Sequence, residues 1–151
     1  ASAIISLFEA TIEQIVALAV LMPIVASMGG NAGTQALTVA VRALAMREVS
    51  NINSFRVVWK ETLDGALNGV AFALIIGFIT FFWFRNLELG VIIAVAMTLN
   101  LVVAGLFGAG IPIFLNRIGS DPAISSTVLL TTVTDVIGFF VFLGLAAVFL
   151  I

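Results

Sequence analysis

Residues 131–151 read TTVTDVIGFFVFLGLAAVFLI, and this segment indicates the class of the fold. It carries a single acid, Asp135, among side chains that are otherwise apolar or bear only a hydroxyl. An apolar run of about 20 residues is long enough for a helix that spans a bilayer. A charge at mid-bilayer costs roughly 2.5–3.5 kcal/mol on insertion scales. An acid in this segment must therefore lie at the polar boundary of the membrane or interact with a partner that offsets this cost.

The composition of the whole chain agrees with a membrane environment. Of its 151 residues, 62% are hydrophobic and only 9% are charged, and the mean hydropathy is +1.29. Soluble domains carry about 25% charged residues, so this chain could not cover itself with polar surface. Because the chain has no Cys and no His, disulfides and thiolate or imidazole metal sites are excluded. The sequence contains no basic patch of the kind that would indicate nucleic acid as a partner.

Hydropathy predicts an all-α, polytopic transmembrane helix bundle with four complete spans. The spans run from about Ile15 to Ala45, about Leu63 to Phe84, Leu89 to about Leu115, and Pro122 to Ile151. The apolar segment Ala1 to Phe8 is expected to be the tail of a truncated first span. We therefore expect residues 1–151 to form one membrane domain with an incomplete first helix and without cytoplasmic regulatory domains.

The basic residues are distributed unevenly between the two ends of the predicted spans. If the spans alternate, five of the six share one end: Arg42, Arg47, Arg56, Lys60 and Arg117. Only Arg85 falls at the other end. The positive-inside rule makes the first end cytoplasmic, which predicts an extracellular or periplasmic C-terminus in a plasma or inner membrane.

Asp135 continues a polar stripe along the last span. Thr131 and Thr127 precede it at i−4 and i−8, so the three side chains share one helix face. Asp135 follows Pro122 by 13 residues, which is roughly 20 Å into the span, and Gly138 leaves room for something to approach. Two interpretations remain open: a site for a cation or proton, or a hydrogen bond that holds neighbouring helices together.

A second polar segment, PIVASMGGNAGTQALTVAVRA (residues 23–43), interrupts the first span. Pro23 and Gly29-Gly30 are expected to weaken its helix, and broken helices recur at the ion sites of transporters. The side chains that bring oxygen to mid-span are Asn31, Thr34, Gln35 and Thr38. The alternative is a packing face, because Gly29 and Gly33 fit the G-x-x-x-G pattern.

Two further groups of acids lie near the ends of the spans. Glu9 and Glu13 are one turn apart and could concentrate cations at the outer mouth, although a solvated helix start explains them equally well. In DGALNG (residues 64–69), Asp64 and Asn68 accompany two glycines. This segment indicates interfacial charge and close helix contact.

The candidate ligands are all oxygens, which hard cations prefer. One Asp supplies too few ligands for a dehydrated divalent ion. Mg²⁺, however, gives up its waters reluctantly, so a few side chains in a pore can bind the hydrated ion through those waters. A two-fold axis along the path would bring a second Asp135 to the same ion.

This combination resembles the MgtE family of magnesium channels, which is related to the SLC41 transporters. The resemblance rests on FEATIEQ (residues 8–14), on GGNAGTQ after Pro23, on DPAISS (residues 121–126) and on TTVTDVIGFFVFLGLA (residues 131–146). It implies a homodimer in a lipid membrane whose ion path lies between the subunits, lined by the helix that carries Asn31 and by the last helix. It assigns Asp135, with the backbone carbonyl of Thr131, to the Mg²⁺ site.

The resemblance also implies a cytoplasmic constriction, formed by Thr34, Thr38, Ile124 and Thr127. The family's usual residue at the positions of Thr34 and Thr127 is Asn, and both are Thr here. We therefore expect no enzyme but a protein that passes Mg²⁺ down its electrochemical gradient, with Mn²⁺, Co²⁺ or Ca²⁺ as possible surrogates. The alternatives are an exchanger coupled to Na⁺ or H⁺, of the SLC41 type, and a membrane scaffold that transports nothing.

Overall fold

The described part of the chain folds into helices. The computed structural model describes residues 1–47 and 53–150, apart from the side chains of residues 123–125. The helices are α1 (Ser2–Leu7), α2 (Glu9–Gln14), α3 (Ala17–Ala45), α4 (Ser54–Phe84), α5 (Leu87–Arg117) and α6 (Pro122–Phe149). No strand occurs among the described residues, and the predicted all-α class is confirmed.

Four of these helices, α3 to α6, are long and apolar enough to cross a membrane. Their lengths are 29, 31, 31 and 28 residues, and a bilayer core needs only about 20. The predicted number of complete spans is confirmed. Many large apolar side chains of α4 face outward, as lipid-facing side chains do.

Helix α5 lies at the centre and packs against α3, α4 and α6. Glycines allow the closest approaches: a methyl group on Gly65 would collide with the Leu101 carbonyl, and one on Gly105 with the Glu61 carbonyl. Because lipid tails are as apolar as the helices, association depends on such close backbone packing. These pairs also show that α4 and α5 are antiparallel.

Helix α3 is continuous from Ala17 to Ala45, so the predicted interruption at Pro23 and Gly29-Gly30 is wrong. Proline and glycine are tolerated inside membrane helices where neighbours satisfy the backbone. Here Asn100 of α5 donates a hydrogen bond from Nδ2 to the Val25 carbonyl at 3.2 Å. Gly29 packs directly beneath the same side chain. Gly29 and Gly33 therefore serve helix packing, as the G-x-x-x-G pattern indicates, whereas nothing lies within 4 Å of a Cβ atom added at Gly30.

Helix α4 begins at Ser54, nine residues before the predicted start of its span. Residues 54–62, which the sequence placed before the second span, are therefore helical, because α4 extends beyond its apolar stretch. Arg42 lies in the last turns of α3, and Arg56 and Lys60 lie in the first turns of α4. These basic residues share one end of the bundle with Arg117, as the alternation of spans predicts.

The N-terminal segment forms two short helices that bend at Phe8. The Phe8 ring packs edge-on against Phe140 of α6, with ring centroids 6.0 Å apart, and reaches Gly144. Helices α1 and α2 therefore lie along the second half of α6.

Candidate cation site

The candidate site is built on the contact between α3 and α6. A Cβ atom on Gly29 would lie 3.4 Å from Thr134 Cβ, and one on Gly33 would lie 2.9 Å from Leu130 Cδ2. Residue numbers thus rise along α3 while they fall along α6, so the two helices are antiparallel.

This antiparallel contact decides which polar side chains share a side. On both helices the next residue lies about 100° around the axis, and for antiparallel neighbours the two rotations lead to the same side of the pair. Thr34 follows Gly33 and Thr131 follows Leu130, so these two threonines lie on one side. One turn away in either direction, the same rule pairs Gly30 with Asp135 and Thr38 with Thr127.

These polar groups form an open face of the helix bundle, which we call the α3–α6 polar face. Asn31, Thr34, Thr38 and Thr127 are exposed, while Thr131 and Asp135 are half-buried. Of the predicted site residues, only Ile124 has a side chain outside the described part of the chain. The described residues that the sequence predicted to line a path therefore lie on one surface of the bundle rather than in a closed pore within it.

The threonine hydroxyls of this face bond back to their own helices. Thr34 Oγ1 donates to the Gly30 carbonyl at 2.8 Å, and Thr38 Oγ1 donates to the Thr34 carbonyl at 2.8 Å. Thr131 Oγ1 donates to the Thr127 carbonyl at 2.9 Å. With its hydrogen used in this way, each hydroxyl oxygen presents only lone pairs outward. A hydrated cation directs water hydrogens outward, so this lining is suited to accept them.

Asp135 lies in the middle of α6. Its carboxylate makes no hydrogen bond or ion pair with any residue in the described ranges. No cluster of three acids, His or Cys occurs there that could hold a bare metal ion. Asp135 thus supplies a single carboxylate to the polar face, next to hydroxyl and carbonyl oxygens.

The Thr131 carbonyl, which the resemblance assigns to the ion, has a neighbour that sequence reasoning missed. Thr134 Oγ1 donates a hydrogen bond to it at 3.1 Å, and the Thr134 side chain is fully buried in the α3–α6 contact. Thr134 therefore fixes the position of this carbonyl from the core side.

Asn100 is a second residue that the sequence analysis missed. It is 1% exposed, and its Nδ2 atom would lie 2.7 Å from a Cβ on Gly138. The space that Gly138 leaves is therefore filled by Asn100 rather than open to a ligand. A lone Asn in the apolar run of α5 was the available signal.

Glu9 and Glu13 lie apart from Asp135. Both are exposed on α2 and line a surface cavity of about 510 Å³ together with Ser2 and Ser6. Since neighbouring Phe8 packs on Phe140 and Gly144, the two acids are at the end of the bundle where α6 ends.

Comparison with known proteins places this geometry in a family. The family model described as "MgtE: Divalent cation transporter" matches residues 22–145. A protein named magnesium transporter MgtE from Bacillus subtilis is 35% identical over 147 residues, which is 97% of this chain and 33% of that protein. The proteins of the same name from Enterococcus faecalis and Thermus thermophilus are also 35% identical. Their matches cover 99% of this chain and 33% of each relative.

The chain thus spans about a third of the length of these relatives. The match is nearly complete along the chain itself and includes the segments that form the α3–α6 polar face. With its four long apolar helices, this is a multi-pass membrane protein, and it belongs to the MgtE family of divalent cation transporters.

Proposed function

We propose that this chain conducts hydrated Mg²⁺ passively across a membrane, along a path between two copies of the chain, with Asp135 as the ion site. The observation that carries the proposal is the α3–α6 polar face itself. It holds at mid-span a carboxylate that has no partner among the described residues, and it lies on the outside of the helix bundle. Facing lipid, that carboxylate would cost several kcal/mol.

A second copy of the chain removes this cost. A two-fold axis along the polar face would bring the two Asp135 carboxylates together and shield both from lipid. Two such carboxylates repel each other unless a cation lies between them. The two Asp135 carboxylates therefore favour the binding of a divalent cation at mid-span, at a site that both copies of the chain share.

The lining favours an ion that keeps its water. Each protomer offers hydroxyl and carbonyl oxygens along the polar face but only one carboxylate at mid-span. Mg²⁺ dehydrates reluctantly and is commonly bound through its waters. The relatives' name, magnesium transporter, supports the same ion. Mn²⁺, Co²⁺ and Ca²⁺ are surrogates because oxygen ligands suit them too.

Transport of this kind needs no covalent chemistry. A potential that is negative inside favours entry of a divalent cation by about 4.6 kcal/mol per 100 mV, twice the single-charge value. With the basic end of the bundle cytoplasmic, Thr38 and Thr127 form the inner part of the path and the C-terminus is outside.

The test is Mg²⁺ uptake into proteoliposomes with a fluorescent indicator, at a potential clamped with K⁺ and valinomycin. We expect Asp135→Asn to reduce uptake at least ~10-fold, because the charge that balances the ion is lost. Glu88→Gln removes an exposed acid of α5 outside the polar face and serves as the control. Uptake at the wild-type rate in Asp135→Asn would contradict the proposal.

The same assay separates conduction from coupled exchange. A passive path follows the membrane potential and is indifferent to imposed Na⁺ or pH gradients. If uptake instead required one of these gradients, the chain would be an exchanger, and the proposal of a passive path would be wrong.

A further inference from the structure

A cavity separate from the α3–α6 polar face lies between α3 and α4 and borders α5. Its volume is about 460 Å³. The polar residues that line it are Gln35 from α3 and Lys60, Glu61, Asp64 and Asn68 from α4. Gln35 and Asp64 each lie 10 residues from the end of their helix, α3 or α4, at the basic end of the bundle. The cavity is thus about 15 Å from that end.

Glu61 is the decisive residue of this cavity. It is only 8% exposed, yet its carboxylate makes no hydrogen bond or ion pair with any described residue. Its backbone packs closely against α5: a Cβ atom on Gly105 would collide with the Glu61 carbonyl. The carboxylate oxygens are not among the fully enclosed polar atoms of the described residues, so the acid group at the end of this largely buried side chain is reached from the cavity that the residue lines.

Three further oxygen-bearing side chains, Gln35, Asp64 and Asn68, line the same cavity, and all three are exposed. Asp64 and Asn68 follow Glu61 at i+3 and i+7, so all three share one face of α4. Gln35 adds a side-chain amide from the opposite wall. Two carboxylates on adjacent turns repel each other, and a cation between them relieves the repulsion. Carboxylate and amide oxygens are the donors that hard divalent cations prefer.

Lys60 also lines the cavity and is the competing positive charge. It is exposed and lies beyond ion-pair distance of both acids. The three charged side chains therefore leave the cavity with one net negative charge. One ammonium group beyond ion-pair distance does not neutralise the two carboxylates that line the cavity.

We propose that each protomer binds a hard divalent cation in this cavity, held by the carboxylates of Glu61 and Asp64 with amide oxygens of Gln35 and Asn68. This site goes beyond the proposed conduction path, since it lies within one protomer and its occupation does not depend on Asp135. Gln35 is adjacent to Thr34 in sequence but about 100° around α3. A cation bound in the cavity links α3 to α4 on a side of α3 other than the α3–α6 polar face.

The test is a titration of the purified full chain in detergent with Mn²⁺, with free Mn²⁺ measured by electron paramagnetic resonance. Every variant is made in the Asp135→Asn background, where the mid-span site is removed. In that background, Glu61→Gln is expected to lose one Mn²⁺ per protomer or to weaken its binding at least ~10-fold. Asp64→Asn should weaken the same binding, and Glu88→Gln should leave it unchanged.

A gain of binding separates the site from effects on folding. Lys60→Gln removes the competing charge and should tighten Mn²⁺ binding about 2- to 5-fold, which a damaged fold would not do. The proposal is overturned if Glu61→Gln binds as many Mn²⁺ ions as its parent with equal affinity, or if Lys60→Gln does not tighten binding. Because conduction is tested through uptake by Asp135→Asn, either proposal can fail without the other.

Discussion

Gly108 of α5 lies directly against the backbone of Gly33 in α3. A Cβ atom on Gly108 would be 2.7 Å from the Gly33 carbonyl oxygen and 2.8 Å from Ala36 Cβ. This contact holds α3 in place one residue before Thr34, which lies on the α3–α6 polar face. The packing of the core and the spacing of the proposed path are therefore set by the same turn of α3.

Gly108→Ala should destabilise the bundle and slow transport. Adding a methyl group to this tight backbone contact costs about 1–3 kcal/mol, and α3 moves away from α5 to accommodate it. We expect a lower midpoint of thermal unfolding in detergent and slower Mg²⁺ uptake. Gly110→Ala is the matched control on the same helix, because nothing lies within 4 Å of its added Cβ. An equal loss of stability in both variants would contradict this account.

Thr131→Val should reduce Mg²⁺ uptake while Thr132→Val should not. Both hydroxyls donate to the Val128 carbonyl, and that of Thr131 also donates to the Thr127 carbonyl, so both substitutions remove a hydroxyl bonded to α6. Only Thr131 lies on the polar face, where its oxygen can accept a hydrogen bond from the water of a hydrated ion. Since one such bond contributes about 1 kcal/mol, we expect roughly 5-fold slower uptake for Thr131→Val alone. Equal uptake in the two variants would show that the face is not the path.

Asn100→Ala should destabilise the junction of α3, α5 and α6. The substitution removes the hydrogen bond to the Val25 carbonyl and empties the space between Gly29 and Gly138. A lost hydrogen bond and a new cavity together cost about 2–4 kcal/mol. Asn116→Ala, at an exposed position near the end of α5, is the control. Thermal unfolding should separate the two variants, and similar midpoints would mean that Asn100 is not structural.

The sequence predicted the spans and the polar stripe of α6 because both follow from regular helical spacing. Thr127, Thr131 and Asp135 occur at i, i+4 and i+8, and in an uninterrupted helix this spacing fixes their common face. The apolar length of each segment likewise determines the number of spans. These properties depend on one segment at a time.

The predictions that were wrong depend on contacts between segments. Gly29-Gly30 was expected to weaken α3, but Asn100, 71 residues after Gly29, packs on Gly29 and bonds to the Val25 carbonyl. Gly138 was expected to leave open space, but the Asn100 side chain fills that space. The burial of Glu61 was equally hidden, because it results from the contact of its backbone with Gly105 on another helix. No single-segment pattern carries such information.

Glu9→Gln combined with Glu13→Gln should weaken Mg²⁺ uptake at low ionic strength. The two exposed acids are at the end of the bundle where α6 ends, and they raise the local concentration of cations there by long-range attraction. Such attraction is screened at about 10 Å in 0.1 M salt and at about 3 Å in 1 M salt. Uptake from micromolar Mg²⁺ should therefore fall several-fold in dilute buffer and match the wild type in concentrated choline chloride. Glu88→Gln, which removes one exposed acid from the start of α5, should change uptake far less. A deficit that persisted at high salt would mean that the pair binds the ion directly instead of attracting it from a distance.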